Sequence, residues 1–137
     1  MSEQKSIENP FATHGAISWA ELASTDPEKS VEFYSSLFGW GIETMETPNG
    51  PYTCMKVGDV KIAGIMKTPC EDAEKAMWGN YVTVDDIEAT KEKVEELGGK
   101  PLCDVMHMPG VGKMFGFVDP QGAIISAIQY AEESSDC

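Results

Sequence analysis

The chain has 137 residues, enough for one core of ordinary stability, whereas either half alone would bury too little surface to stand by itself. Its formal charge of −13, from 10 basic and 23 acidic side chains with no Lys/Arg cluster, argues against a nucleic-acid partner, because a phosphate backbone would be repelled. Cys54, Cys70, Cys103 and Cys137 form no C-x-x-C pair, and no charged-then-apolar leader opens the sequence. With no apolar run near the roughly 18 residues of a membrane span, these features predict a cytoplasmic protein with reduced thiols and no membrane contact.

In chain order, residues 1–12 are polar and read as a flexible tail, although Phe11 is large enough to tuck against the body. A first strand is expected over Ala16–Leu22, with Ile17, Trp19 and Glu21 on one face and Ser18, Ala20 and Leu22 on the other. Asp26, Pro27 and Glu28 form a helix start: a side-chain cap, a residue whose missing N–H costs nothing there, and a carboxylate at the positive end of the dipole. Val31, Tyr34, Leu37 and Phe38 then recur at helical spacing up to Gly39, which predicts a helix over 27–38. Pro48-Asn49-Gly50-Pro51 is a turn, and Tyr52–Val57, Gly58-Asp59 and Val60–Met66 read as a hairpin. A charged linker containing Pro69, Lys67–Ala76, follows.

The second half repeats the first. Tyr81–Val84 is its opening strand, Asp85 or Asp86 caps a helix over Glu88–Leu97, and Gly98-Gly99 ends it. A short strand near Leu102–Val105, a loop at Pro109-Gly110-Val111-Gly112 and a hairpin turning at Asp119-Pro120-Gln121-Gly122 complete the half, and 131–137 reads as a second flexible tail. Sliding the chain by sixty positions lays Asp26 on Asp86, Ser30 on Thr90, Leu37 on Leu97 and Gly39 on Gly99. Each half therefore reads β-α-β-β-β, with one module at about 13–67 and the other at about 77–130 of a single domain, 13–130. Two copies of about 60 residues do not make a solenoid; they suggest a pseudo-symmetric α+β domain.

The run STDPEKSVEFYSSLFGW (24–40), the internal duplication and FVDPQGAIISAIQ (117–129) resemble the vicinal oxygen chelate superfamily, which contains glyoxalase I, extradiol dioxygenases and bleomycin-resistance proteins. WAEL (19–22), AGIM (63–66), WGNYVTVDD (78–86) and MPGVGKMF (108–115) are similar to its subgroup of small glyoxalase-like proteins. The resemblance implies two tandem modules whose sheets form an open, pseudo-symmetric barrel around a central cavity, with the helices outside. It also implies metal ligands on the first and last strand of each module in catalytic members. Those positions fall here on Trp19, Gly64, Gly79 and Ser126, none a good divalent-metal ligand, so no metal and no cofactor are expected.

Parity places Glu21 with Trp19, so Glu21 reads either as a partly desolvated carboxylate with a raised pKa, able to act as a general base, or as a rim carboxylate that holds the strand edge. Trp19, Tyr52, Met66, Trp78, Tyr81, Phe115 and Phe117 offer flat or thioether surface for a planar ligand, although for any single one of them core filling is the stronger reading, and Asn80 and Ser126 are its polar contacts unless Asn80 faces the helix side. His14 and His107 read as exposed polar residues, and no cysteine has a histidine or helix start beside it to activate it. The reading is a protein that binds a small planar organic molecule in a metal-free cavity. The alternatives are a metal-independent lyase or isomerase using Glu21, and a metal-dependent enzyme of the lactoylglutathione-lyase type. A homodimer is open.

Overall fold

The computed structural model describes residues 9–48, 50–68 and 75–131. Cys70, Cys137, Pro69 and the outer parts of both tails lie outside the described residues. The described residues form two compact units, one of Trp19–Gly79 and one joining the residues up to Ser18 with those from Asn80 onward.

In the unit Trp19–Gly79, β1 (Ile17–Ser24, which begins just before the boundary) leads into α1 (Pro27–Phe38), and β2 (Gly41–Thr47), β3 (Gly50–Val57) and β4 (Val60–Lys67) follow. The helix has the expected bounds because its ends are chemically written: the Asp26 carboxylate accepts from the Lys29 N–H at 3.3 Å, and Gly39 takes the left-handed conformation (φ 74) that a side chain would resist. The strand order is β2-β3-β4-β1, with β2, β3 and β4 antiparallel and β1 parallel to β4 from Ala20 opposite Ala63 to Ser24 opposite Lys67. One face of this sheet carries the core: Leu22, Met55, Ala63 and Ile65 are buried, and Val31 and Tyr34 of α1 pack on them with Trp40. On β2, Glu43 lies between Lys56 (3.4 Å) and Lys61 (3.3 Å), which hold its carboxyl below the usual carboxylate range, chiefly through the hydrogen bond from Lys61.

The other unit repeats the pattern with β5 (Met77–Thr83, most of it beyond the boundary), α2 (Ile87–Glu96), β6 (Lys100–Pro101), β7 (Met106–Met108), β8 (Gly112–Val118) and β9 (Ile124–Tyr130). Here β5 runs parallel to β9, β9 is antiparallel to β8, and β6 and β7 both pair with β8. This is the order of the first module, so the α+β fold consists of two β-α-β-β-β modules, the second with its returning strand broken in two.

The break falls on Leu102–Val105, where one strand was expected. Leu102 still donates its N–H to Gly116 at 2.9 Å, but Asp104 is drawn to Lys91 of α2 at 3.1 Å and Val105 turns onto the core. That core is Val84, Ile87, Val94, Phe115 and Ala127, and Ile87 is fixed at the helix start by the Gln129 side chain, which accepts its N–H at 2.8 Å. Part of the first tail is ordered as well. Pro10–Ala12 form a 3-10 turn capped by Asn9, and the Phe11 ring meets Tyr130 edge-on at 5.1 Å.

Removing the Asp26 cap leaves one helix N–H without its acceptor, so Asp26→Ala should lower stability by about 1 kcal/mol. Urea unfolding checks it, as a lower midpoint with an unchanged slope.

Candidate functional site

On the face of the first module opposite its core, alternation and register bring several side chains together. Glu21 of β1 sits opposite Gly64 of β4, and Gly64 sits opposite Cys54 of β3. Side chains two residues along each strand share that face, which adds Trp19, Tyr52 and Met66. At its centre the Tyr52 hydroxyl accepts from the indole Nε1 of Trp19 at 2.7 Å and donates to Oε2 of Glu21 at 2.9 Å. The direction is fixed by chemistry, since an indole N–H can only donate and an ionised carboxylate can only accept. The bond to the carboxylate is charge-assisted, the stronger kind. All three side chains are half-buried.

Tyr52 reaches that position because β4 carries glycine beneath it. A Cβ on Gly64 would run into the Tyr52 ring and hydroxyl. Trp19 and Gly64, the two first-module positions where the sequence resemblance implies metal ligands, are thus an indole already committed to Tyr52 and a glycine covered by the same residue. In the second module the matching face holds Ser126, opposite Tyr81 and opposite Gly116, whose added Cβ would lie 3.4 Å from the Ser126 hydroxyl. A serine hydroxyl is a weak neutral donor and glycine none, so these residues do not fit a divalent ion. No group of three or more His, Cys, Asp or Glu that could hold one occurs among the described residues.

Four of the residues expected to line a ligand site lie elsewhere. Phe115 and Phe117 flank Gly116, whose register with Ser126 sends them to the other face. There Phe115 is 1% exposed in the α2 core, and Phe117 packs against it. Trp78 donates its Nε1–H to the Tyr34 hydroxyl at 3.1 Å and joins the aromatic side chains of α1. Asn80, one residue before Tyr81, is exposed on the face opposite to it. The reason is common to all four: they alternate with Tyr81 and Gly116, the residues in register with Ser126.

A separate groove of about 490 Å³ lies beside α2, walled by Val84, Val94, Leu97, Phe117 and Pro120. His14 stands at its edge, where its Nδ1 accepts the Asp85 N–H at 3.0 Å, a structural contact. His107 is exposed in β7 opposite Lys113, and Cys54 is buried. What the sequence did not disclose was the Tyr52 hydroxyl as a hub. Its aromatic ring was visible, but the bond partners depend on the glycine across the hairpin.

Adding a methyl group at position 64 should expel the phenol and break both of its bonds. Gly64→Ala is therefore expected to destabilise by about 1–3 kcal/mol as an overpacked site and to shift Trp19 emission, and Tyr52→Ala in the same chain should recover part of the loss. Equal unfolding midpoints for Gly64→Ala and the parent would contradict the packing.

Residues 16–126 match the family described as the glyoxalase/bleomycin resistance protein/dioxygenase superfamily. CFP32 of Mycobacterium tuberculosis, which carries a glyoxylase name, is 32% identical over 120 residues, covering 87% of this chain and 46% of that protein. The anthracycline biosynthesis protein DnrV of Streptomyces peucetius is 32% identical over 123 residues, covering 80% of this chain and 45% of its own length. The chain thus spans about half the length of these relatives, whereas a glyoxylase-like domain-containing protein of Didymella fabae, 34% identical over 80% of this chain, is covered to 89%. Among solved structures, a Streptomyces coelicolor methylmalonyl-CoA epimerase in complex with 2-nitronate-propionyl-CoA has a TM-score of 0.66 over 90% of this chain and all of its own, at 15% identity, a likeness of fold. With most of its length matched and the two modules in place, this chain belongs to the glyoxalase/bleomycin resistance protein/dioxygenase superfamily.

Proposed function

We propose that this chain binds a small planar organic molecule on the Trp19–Tyr52 face of its first module, at a site that uses no metal. The observation that carries this reading is the bonded chain from the Trp19 indole through the Tyr52 hydroxyl to Glu21. It holds a large flat ring in one orientation before any ligand arrives, so little side-chain freedom remains to be lost on binding. Met66 adds polarisable surface on the same face, and Glu21 gives the site a directional acceptor. A metal-dependent activity of the lactoylglutathione-lyase type is disfavoured by the donor set: an indole, two glycines and a serine hydroxyl.

Under this reading, flat aromatic metabolites should quench or shift tryptophan emission in a saturable way, and Trp19→Phe should remove most of the response while the fold stays intact. Elemental analysis of the same protein after dialysis against Zn²⁺, Ni²⁺ or Mn²⁺ should find far less than one ion per chain. A response that survives in Trp19→Phe, or metal that resists chelators at one ion per chain, contradicts the site.

The 2.9 Å bond from Tyr52 to Glu21 favours a second reading, a metal-independent lyase or isomerase. Glu21 would take a proton from the substrate, and the Tyr52 hydroxyl would steady the carboxylate before transfer. Glu21→Gln keeps shape and hydrogen bonding but removes the proton acceptor, so turnover should fall by roughly 100-fold or more with little change in affinity. A fall in affinity with no turnover in either protein assigns Glu21 to ligand binding alone.

A further inference from the structure

We propose that the groove beside α2 is a second ligand site, which takes a small amphipathic primary amine with its apolar body along the helix and its ammonium group on Asp119. The groove has a volume of about 490 Å³, within the range of small-molecule sites. From α2 and its caps it takes Asp86, Ala89, Thr90, Lys93, Val94 and Leu97, a stripe at three- and four-residue spacing, so it follows the helix axis. From Asp86 to Leu97 that axis is about 16 Å long. The sheet side is apolar: Val84 belongs to the core and Phe117 packs against it. Leu97 remains 69% exposed at the groove, apolar surface that an alkyl or aryl body would cover.

Charge complementarity selects the sign of the ligand. Three carboxylates, Asp85, Asp86 and Asp119, line the groove against one lysine, Lys93, in a chain of net charge −13. The field of such a groove draws in a cation and repels a fatty acid or another organic anion.

The two ends of the groove are not equivalent. At the start of α2 the Asp86 carboxylate is already used as a cap, accepting the Ala89 N–H at 3.1 Å, and it faces the positive end of the helix dipole. Asp119 stands at the other end. It follows Val118, which is paired with Lys100 just beyond the helix, and a Cβ on Gly98 would lie 3.7 Å from Pro120. Its carboxylate and the negative end of the α2 dipole therefore act on a cation in the same direction. The Oδ1 atom of Asp119 accepts the N–H groups of Gln121 and Ala123, each at 2.9 Å, which fixes the carboxylate and leaves the lone pairs of Oδ2 for a donor outside the turn. A primary ammonium brings three donors on a compact charge to that oxygen.

Octylamine is a suitable probe, with octanol and octanoate as controls of equal chain length and the amide NMR spectrum of the full chain as the readout. Octylamine should shift the signals of Leu97, Gly98, Gly99 and Gln121 in a saturable way, with octanol weaker and octanoate weakest. All three tryptophans belong to the other unit, so their emission reports the Trp19–Tyr52 site separately, and failure of either site is distinguishable from failure of the other. Asp119→Asn keeps an oxygen for the two turn N–H groups but removes the charge, and should weaken octylamine binding by roughly tenfold. Lys93→Ala removes the competing cation and should tighten it. If Asp119→Asn disturbs the turn, Leu97→Ala at its exposed position gives the second reading, a several-fold weaker affinity through lost apolar contact. The proposal is overturned if octylamine produces no saturable shift at these amides, if octanoate binds as tightly, if Lys93→Ala weakens binding, or if the folded Asp119 and Leu97 variants bind as the parent does.

Discussion

The first module depends on one register. Pairing β1 in parallel with β4 so that Glu21 lies opposite Gly64, and β3 with β4 so that Cys54 lies opposite the same glycine, decides which side chains meet. Shifting β1 by one residue would send Leu22 away from α1 and bring Trp19 and Glu21 under it, and shifting β3 would do the same to Met55 and Tyr52. The hydrophobic demand of Leu22, Met55, Ala63 and Ile65 therefore fixes the polar face as firmly as the apolar one. Gly64 then supplies the missing volume into which the Tyr52 ring settles.

A shared scaffold does not carry its chemistry with it unless the site residues are kept. A divalent ion needs imidazole, carboxylate or thiolate groups converging on one point, and the family positions here hold indole, glycine and serine. In the first module a phenol with two hydrogen bonds lies over Gly64. The tyrosine hydroxyl orders a ring on one side and a carboxylate on the other, the arrangement on which the proposed binding of an organic molecule rests.

The two modules share a strand order but differ in how they secure their helices. In the first, cap chemistry at Asp26 and Gly39 bounds α1, whose apolar side chains divide between the sheet core and an exposed aromatic face. In the second, Asp86 caps α2 through the Ala89 N–H at 3.1 Å, Gln129 reaches from β9 to Ile87, and Lys91 holds Asp104. Consequently the second helix buries Ile87 and Val94, whereas no residue of the first is fully buried. The asymmetry leaves Phe33, Leu37 and Phe38 of the first helix exposed.

By itself the sequence determined whatever is encoded within a few residues. The bounds of α1 follow from Asp26-Pro27 and Gly39, those of α2 nearly so from Asp86 and Gly98, and the Gly58-Asp59 turn from its own dihedral demands, because caps and turns are local chemistry. The duplication was legible for the same reason, being a repeat of such local signals, and period-two alternation put Trp19 and Glu21 on one face of β1. Alternation within a strand does not say which face meets a helix, and that choice belongs to register between strands distant in sequence. Hence Phe115 and Phe117 went to the α2 core, Trp78 went to Tyr34, and Asp104 and Val105 left the sheet for Lys91 and the core. Only the tertiary structure could make Tyr52 a hub, because its partners sit 31 and 33 residues away and its seat exists only where β4 presents Gly64 beneath the ring.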